Sequence, residues 1–488
     1  MSRSRPSREV ERRLLRLLHG HKTRTQLPQI HAHFLRHGLH QSNQLLAHFV
    51  SVCGSLSQMT YANRIFKQTQ NPNILLFNSM IKGFSLNGPF DQSLVLFMDM
   101  KAHFIWPDEY TFAPLLKACS NMSGYRLGQC VHGNVLRYGF ESFGSIRIGI
   151  VEFYVSCGGM EDAQKVFDEM PNRDVILWNL MIRGFCKMGD VDYGLVMFRQ
   201  MNERSIVSWN TMISCLAQSG RDGEALELFG EMRDQGFEAD EVTVVAVLPV
   251  CARLGAVDVG QSIHSYADSR RLVQEVVAVG NSLIDFYCKC GNLEVASSIF
   301  KPMRSKNVVS WNAMISGLAL NGKGELGVDL FEEMVKEGMN PNETTFIGVL
   351  ACCAHAGLVE KGREVFASMT ASYQIVPKLE HYGCMVDILG RNGCVEEAHD
   401  LIRSMPVKPN APLWGSLLSS CRTHGDLELA EVALKELIDL EPWNSGNYVL
   451  LSNMYAEQGR WDKVEEFRVL MREKCVKKSP GQSAVGFA

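Results

Sequence analysis

The chain has 488 residues, 46% of them hydrophobic, and a net charge of −4. That apolar content suffices for a continuous core, and no run of about 18 uncharged apolar residues marks a membrane-crossing helix. The 15 cysteines are odd in number, scattered, and form no Cys-x-x-Cys pair, which argues against a disulfide framework and for reduced, partly buried thiols.

The charge is uneven. Residues 1–42 carry nine Lys/Arg against two Glu, which leaves −11 for the rest. An acidic body lacks the lysines and arginines that give indiscriminate polyanion binding, so any nucleic-acid role rests on base contacts and local basic patches. The first residues, with Arg3, Arg5, Arg8, Arg12, Arg13 and Arg16 among serines and leucines, fit an organellar transit peptide over 1–24. Glu9 and Glu11 are unusual there, and the alternative is a basic first helix of the fold, beginning near residue 8. Residues 25–73 read as degenerate repeats, most clearly at Gln29-Ile30-His31-Ala32-His33.

From Phe77 onward one phrase recurs: an aromatic, Asn, any residue, Met-Ile. It stands at Phe77-Asn78, Trp178-Asn179, Trp209-Asn210 and Trp311-Asn312, and Gly280-Asn281 keeps the asparagine. Ten residues after each asparagine comes a glycine: Gly88, Gly189, Gly220, Gly291 and Gly322. A Phe-x-x-Met phrase follows, as at Phe97, Phe167, Phe229 and Phe331. Apolar residues at helical spacing on both sides of a glycine predict an antiparallel helix pair, the glycine ending the first helix. Neither helix buries its apolar stripe until another pair stacks on it, so the fold is an all-α solenoid. Trp178 to Trp209 is 31 residues and Trp209 to Trp311 is 102. Units of about 35, 35 and 31 residues explain such spacings, whereas the constant 34 of a tetratricopeptide repeat does not.

This triplet, with its Asn-x-Met-Ile phrase, resembles the plant pentatricopeptide-repeat family, subclass P-L-S, which implies a right-handed superhelix. With Asn at the fifth position, P-type units fall at 74–108, 206–240 and 308–342. L-type units fall at 109–143, 241–276 and 343–378, and S-type units at 144–174, 175–205, 277–307 and 379–410. Repeats of this kind read single-stranded RNA at one base per unit.

The aromatic before each asparagine reads most simply as core, although base stacking is open. His31, His132 and His264 follow the triplet spacing, which makes them packed residues of the L-type unit instead of a metal cluster. Asn is a poor residue inside a helix. Two readings of the fifth-position asparagine stay open: a helix cap, or an amide facing a base edge, able to donate and accept. The last residue of each unit supplies its partner. A carboxylate accepts from uracil N3–H, and an amide NH₂ donates to cytosine N3. The resemblance implies the same code: Asn78/Asp108 and Asn210/Asp240 for U, Asn179/Ser205 for C, Asn281/Asn307 and Asn312/Asn342 for C with U tolerated. Ala113, Val245 and Ile347 read little, and units with Ile148 or Gly383 depart from the pattern.

Segments 411–444 and 445–478 look like the two E motifs that end many P-L-S proteins; they either cap the solenoid or dock editing partners. The tail 479–488 carries Ala484 where longer relatives have Trp before a zinc deaminase domain. Neither the His-x-Glu nor the Cys-x-x-Cys of that chemistry occurs, so no catalysis, metal or cofactor is expected. The resemblance then implies a specificity factor for C-to-U editing of single-stranded organellar RNA. It would recruit a deaminase-bearing protein of the same family, or other editing factors, in trans through 411–478. The alternatives are a splicing, stability or translation factor, and a protein-interaction solenoid. The Arg-Leu leader favours the mitochondrion over the chloroplast as destination.

Overall fold

The computed structural model describes residues 8–473 apart from 19, 21 and 172. Residues 1–7 of the proposed leader, 474–478 of the second C-terminal segment and the tail 479–488 lie outside them. The chain divides after Phe237 into two compact units.

The first unit contains α1 (Arg8–Leu18), α2 (Gln26–Arg36), α3 (Asn43–Ser55), α4 (Met59–Phe66), α5 (Ile74–Asn87), α6 (Asp91–Ala102) and α7 (Glu109–Asn121). It continues with α8 (Tyr125–Tyr138), α9 (Gly144–Ser156), α10 (Met160–Asp168), α11 (Val175–Lys187), α12 (Val191–Gln200), α13 (Ile206–Gln218) and α14 (Asp222–Asp234). The second unit contains α15 (Glu241–Leu254), α16 (Val257–Ser269), the single turn α17 (Leu272–Glu275), α18 (Val277–Lys289), α19 (Leu293–Phe300), α20 (Val308–Leu320) and α21 (Gly324–Lys336). It ends with α22 (Glu343–Ala356), α23 (Val359–Ala371), α24 (Leu379–Arg391), α25 (Val395–Ser404), α26 (Ala411–His424), α27 (Leu427–Leu440), α28 (Ser445–Glu457) and α29 (Trp461–Glu473). Every element among the described residues is helical.

Within each unit the layering is the same. First helices of successive pairs pack on each other (α3, α5, α7, α9, α11 and α13; then α15, α18, α20, α22, α24 and α26), while each second helix packs on its own partner. The basic segment from Arg8 belongs to this scheme: α1 packs on α2 and α3 and buries Leu14 and Leu18.

The short phrases in the sequence now have physical causes. Gly189, Gly220, Gly291 and Gly322 sit between the helices of their pairs at φ of +90°, +75°, +79° and +68°, a backbone region in which any Cβ is strained. Phe of the second helix faces the next pair. Phe66, Phe167, Phe198 and Phe300 meet Phe77, Trp178, Trp209 and Trp311 edge to face, at centroid distances of 5.1, 4.9, 5.0 and 5.1 Å. Such contacts add to burial of the rings themselves. Phe77, Trp209 and Trp311 are fully buried and Trp178 half-buried; these aromatics belong to the core.

Two devices set the link to the next pair. In the short connections, a cation just before the last residue folds back on the preceding helix. Arg204 donates from Nε to Phe198 O at 3.1 Å and from Nη2 to Arg199 O at 3.0 Å, its guanidinium over the Phe198 ring. Arg173 repeats this on Phe167 O and Asp168 O at 3.1 and 3.2 Å. Lys306 reaches Lys301 O and Met303 O. Free carbonyls at a helix C-terminus are thereby satisfied by positive charge, which also suits the helix dipole. In longer connections a left-handed residue does the work: Phe104, Gly236 and Gly338 at φ of +57°, +83° and +77°.

Candidate nucleic-acid interface

Each asparagine of the recurring phrase is the fifth residue of its helix: Asn78 in α5, Asn179 in α11, Asn210 in α13, Asn281 in α18 and Asn312 in α20. None is a helix cap. That task belongs to the residue proposed as its partner, the last before each new pair. Asp108, Ser205, Asp240, Asn307 and Asn342 each stand immediately before a first helix and accept from its exposed backbone N–H groups. Asp108 takes Tyr110 N at 3.0 Å, Asp240 takes Thr243 N at 2.9 Å, and Asn307 and Asn342 take Ser310 N and Thr345 N at 3.0 Å. Capping thus falls to the last residue of these five units, and the fifth-position asparagine is left for another task.

Three pairs that each lie within one compact unit are in direct contact. Asn78 Nδ2 donates to Asp108 Oδ1 at 2.7 Å, Asn281 Nδ2 to Asn307 Oδ1 at 3.2 Å, and Asn312 Nδ2 to Asn342 Oδ1 at 3.1 Å. Asn179 and Ser205 share no hydrogen bond, and Asn179 Oδ1 is buried without a partner. Asn210 lies in the first compact unit, where it is buried, and Asp240 in the second, where it caps α15.

The asparagines are sunk and their partners more open: Asn281 and Asn312 are buried, whereas Asn307 and Asn342 are exposed. Each amide spends one NH₂ proton on its partner and keeps a second; the capping oxygen is taken up by the helix N–H and the amide, which leaves Oδ2 of Asp108 as an acceptor and the NH₂ groups of Asn307 and Asn342 as donors. The Asn78/Asp108 pair can thus donate and accept at a planar edge. In the two units that depart from the pattern, those with Ile148 and Gly383, the last residue also caps: Asp174 caps α11 through Leu177 N at 2.8 Å and Asn410 caps α26 through Leu413 N at 3.3 Å.

Sequence reading missed a second feature. The second residue of many first helices is apolar and exposed: Leu75, Tyr110, Ile176, Val207, Val242 and Val309. They recur at the unit spacing, each one residue into the helix that follows a capping partner. An isolated exposed valine says nothing, but a row of them beside polar pairs offers flat apolar surface to the faces of rings. The signal was present as an apolar residue three before each phrase asparagine.

The repeated histidines turn inward. His31, His132 and His264 place Nδ1 at 2.9, 3.0 and 2.9 Å from the hydroxyls of Tyr61, Tyr154 and Tyr287. Burial holds all three imidazoles below their ordinary pKa. No cluster of metal-binding side chains is found among the described residues. The described cysteines are all free, and burial pushes the thiols of Cys53, Cys119, Cys288, Cys352 and Cys421 up to about 12.

Comparison with known proteins identifies the repeat. PPR repeats match residues 76–103, 150–175, 172–202, 281–308, 344–372 and 380–408, and the PPR repeat family matches 204–253 and 306–355. A pentatricopeptide repeat-containing protein of Arabidopsis thaliana is 62% identical over 478 residues, spanning 98% of this chain and 99% of the relative. The chain belongs to the pentatricopeptide-repeat family. An E motif matches residues 424–486. A further Arabidopsis thaliana pentatricopeptide repeat-containing protein is 42% identical, covering 96% of this chain and 89% of its own length. One named chloroplastic is 34% identical over 96% of this chain and 78% of its own. In fold the chain is similar to the maize pentatricopeptide repeat protein PPR10, with a TM-score of 0.55 at 17% identity over 94% of this chain and 77% of that one. Both are helical-repeat solenoids.

Proposed function

We propose that this pentatricopeptide-repeat protein is a scaffold without catalysis of its own that binds single-stranded RNA in a plant organelle. Pairs such as Asn78/Asp108 read pyrimidine edges, and Leu75, Tyr110, Val207 and their equivalents pack on base faces. The observation that carries the reading is the amide-to-acceptor contact that recurs across successive helix pairs at 78/108, 281/307 and 312/342. Structure alone does not require it, because each partner already caps its helix without the asparagine. The code then assigns U to Asn78/Asp108 and Asn210/Asp240, C to Asn179/Ser205, and C with U tolerated to Asn281/Asn307 and Asn312/Asn342.

The finer reading is a specificity factor for C-to-U editing whose residues 411–478 recruit a deaminase-bearing partner in trans. The E motif match supports it, and relatives named chloroplastic support an organellar setting. The test is sequencing of all organellar cDNAs from plants lacking the protein. Loss of conversion at one or a few sites, preceded by bases that fit the pairs, is the expected result. Full editing with an unspliced or unstable transcript would keep RNA binding and remove deaminase recruitment.

A further inference from the structure

Three residues into each helix that follows a reading pair stands a hydroxyl. Thr111, Ser208, Ser310 and Thr345 are all fully buried. Each accepts a backbone N–H from the capping residue: Asp108 N to Thr111 Oγ1 at 3.1 Å, Ser205 N to Ser208 Oγ at 3.2 Å, Asn307 N to Ser310 Oγ at 3.2 Å and Asn342 N to Thr345 Oγ1 at 3.0 Å. A hydroxyl has one proton left to give, and threonine and serine aim theirs differently.

Thr111 Oγ1 lies 2.9 Å from Asn78 Oδ1 and 3.0 Å from Asp108 Oδ1, and Thr345 Oγ1 lies 2.7 Å from Asn312 Oδ1 and 3.0 Å from Asn342 Oδ1. In both, the shorter contact is to the asparagine of the preceding unit. Ser310 Oγ donates to Asn307 Oδ1 at 3.1 Å, and Asn281 Oδ1 is buried with no partner. Ser208 Oγ pairs with Ser205 Oγ at 3.2 Å, and Asn179 Oδ1 is likewise buried with no partner. Threonine's branched Cβ restricts its rotamer, whereas serine turns freely.

An amide held at its oxygen by a hydroxyl and at its nitrogen by an acceptor has one orientation. Turned over, it would set oxygen against oxygen. An amide held only at nitrogen, by one bond of 3.2 Å at Asn281, has a single contact to give up when it turns away from its partner. We propose that Thr111 and Thr345 are positioning residues that lock the amide of the preceding unit's asparagine and so set how sharply that unit discriminates bases. The serine units hold the same asparagine loosely and read tolerantly. The inference rests on the base-reading function proposed above, with a pyrimidine base as the ligand.

The clean comparison is internal. Asn281/Asn307 and Asn312/Asn342 carry identical reading residues and differ at Ser310 against Thr345. A two-residue code gives them the same preference; the lock makes them unequal. The experiment is selection from a randomised single-stranded RNA pool by the full chain, comparing wild type, Thr345→Ser, Ser310→Thr and the Asn312→Ala/Asn342→Ala double variant. Discrimination opposite 312/342 is expected to exceed that opposite 281/307 by roughly 2- to 10-fold, the range of one net hydrogen bond. Thr345→Ser should erase the excess and Ser310→Thr should create it. Serine and threonine both retain the buried cap, and the methyl lost or added at these buried positions shifts stability by about 1 kcal/mol; a merely structural role would end with that shift and leave the selected sequences alone. Selected sequences unchanged by either exchange, but altered by the double alanine variant, would overturn the lock and keep base reading. A pool that the double variant also leaves unchanged, or that is never enriched, would overturn both.

Discussion

Asn78 and Asp108 are 30 residues apart, in successive helix pairs, yet Asn78 Nδ2 stands 2.7 Å from Asp108 Oδ1. The same Oδ1 receives Tyr110 N at 3.0 Å and caps α7. One carboxylate thus serves the helix behind it and the amide of the unit before it. A substitution at 108 separates these tasks only if it keeps the acceptor.

Asp108→Asn does keep it, because an amide oxygen can cap a helix as well as a carboxylate can. Thermal stability is expected to move by no more than a few tenths of a kcal/mol. Base preference at one nucleotide should shift from U toward C, since Asn78/Asn108 would copy the pair at 312/342. Asp108→Ala should instead cost about 1 kcal/mol through the lost cap as well as weakening RNA binding. Binding titrations on RNAs differing at that single base, beside melting curves, check both. A stability loss in the asparagine variant with unchanged base preference would make Asp108 a cap and nothing else.

The close approach of α16 to α18 depends on Gly260. A Cβ there would lie 2.1 Å from Phe286 Cζ, and Gly128 stands in the same relation to Phe153 at 2.0 Å. Both rings are fully buried and have nowhere to retreat. Gly260→Ala is expected to destabilise its neighbourhood by about 1–3 kcal/mol, the cost of overpacking a filled core. A repeat array need not unfold in one step, so the loss is best read by hydrogen exchange in α16 and α18. Adding Phe286→Leu should restore part of the protection; equal loss with and without it would place the strain elsewhere.

The folded-back cation gives a third expectation. Arg204→Met keeps some apolar cover on Phe198 but abandons the carbonyls of Phe198 and Arg199. Two lost charge-assisted bonds, partly replaced by water, amount to about 1–2 kcal/mol. Arg204→Lys should recover part of this, as Lys306 performs the same duty at its own connection. Because Ser205 follows directly, exchange protection of residues 201–208 is the readout. Unaltered protection in the methionine variant would show that the loop is held without the guanidinium.

Much of this fold was legible in the sequence. The Asn-x-Met-Ile phrase and the glycine ten residues on mark two amphipathic faces and the break between them, and α5 with α6, or α20 with α21, follow that pattern. Local period suffices for helix pairs because each apolar stripe is written within one unit. The site was legible only by position. That Asp108 and Asn342 cap helices is a local matter, hinted at by Thr111 and Thr345 three residues later, yet sequence reading weighed a cap only for the fifth-position asparagines, as one of two open readings. What no single unit contains is the meeting of residues 26 to 33 apart, such as Thr345 with Asn312. Nor does any local pattern reveal that Arg204 reaches back to Phe198.

The three histidine–tyrosine pairs make stability depend on pH. Burial is the first cause of the lowered pKa at His31, His132 and His264, reinforced by His40 at the first and opposed by nearby carboxylates at the other two. A histidine whose folded pKa lies below its unfolded value of about 6.5 leaves the unfolded chain binding more protons. Stability is therefore full above the unfolded pKa, falls as pH drops through it, and levels off below the folded value. His264→Gln removes one such group and can still hydrogen-bond Tyr287. Melting curves at pH 7.5 and 5.5 should show a smaller acid-induced loss in the variant than in wild type. The same acid-induced loss in both would mean that His264 is protonated alike in the folded and unfolded chain, and that its tyrosine contact carries no proton linkage.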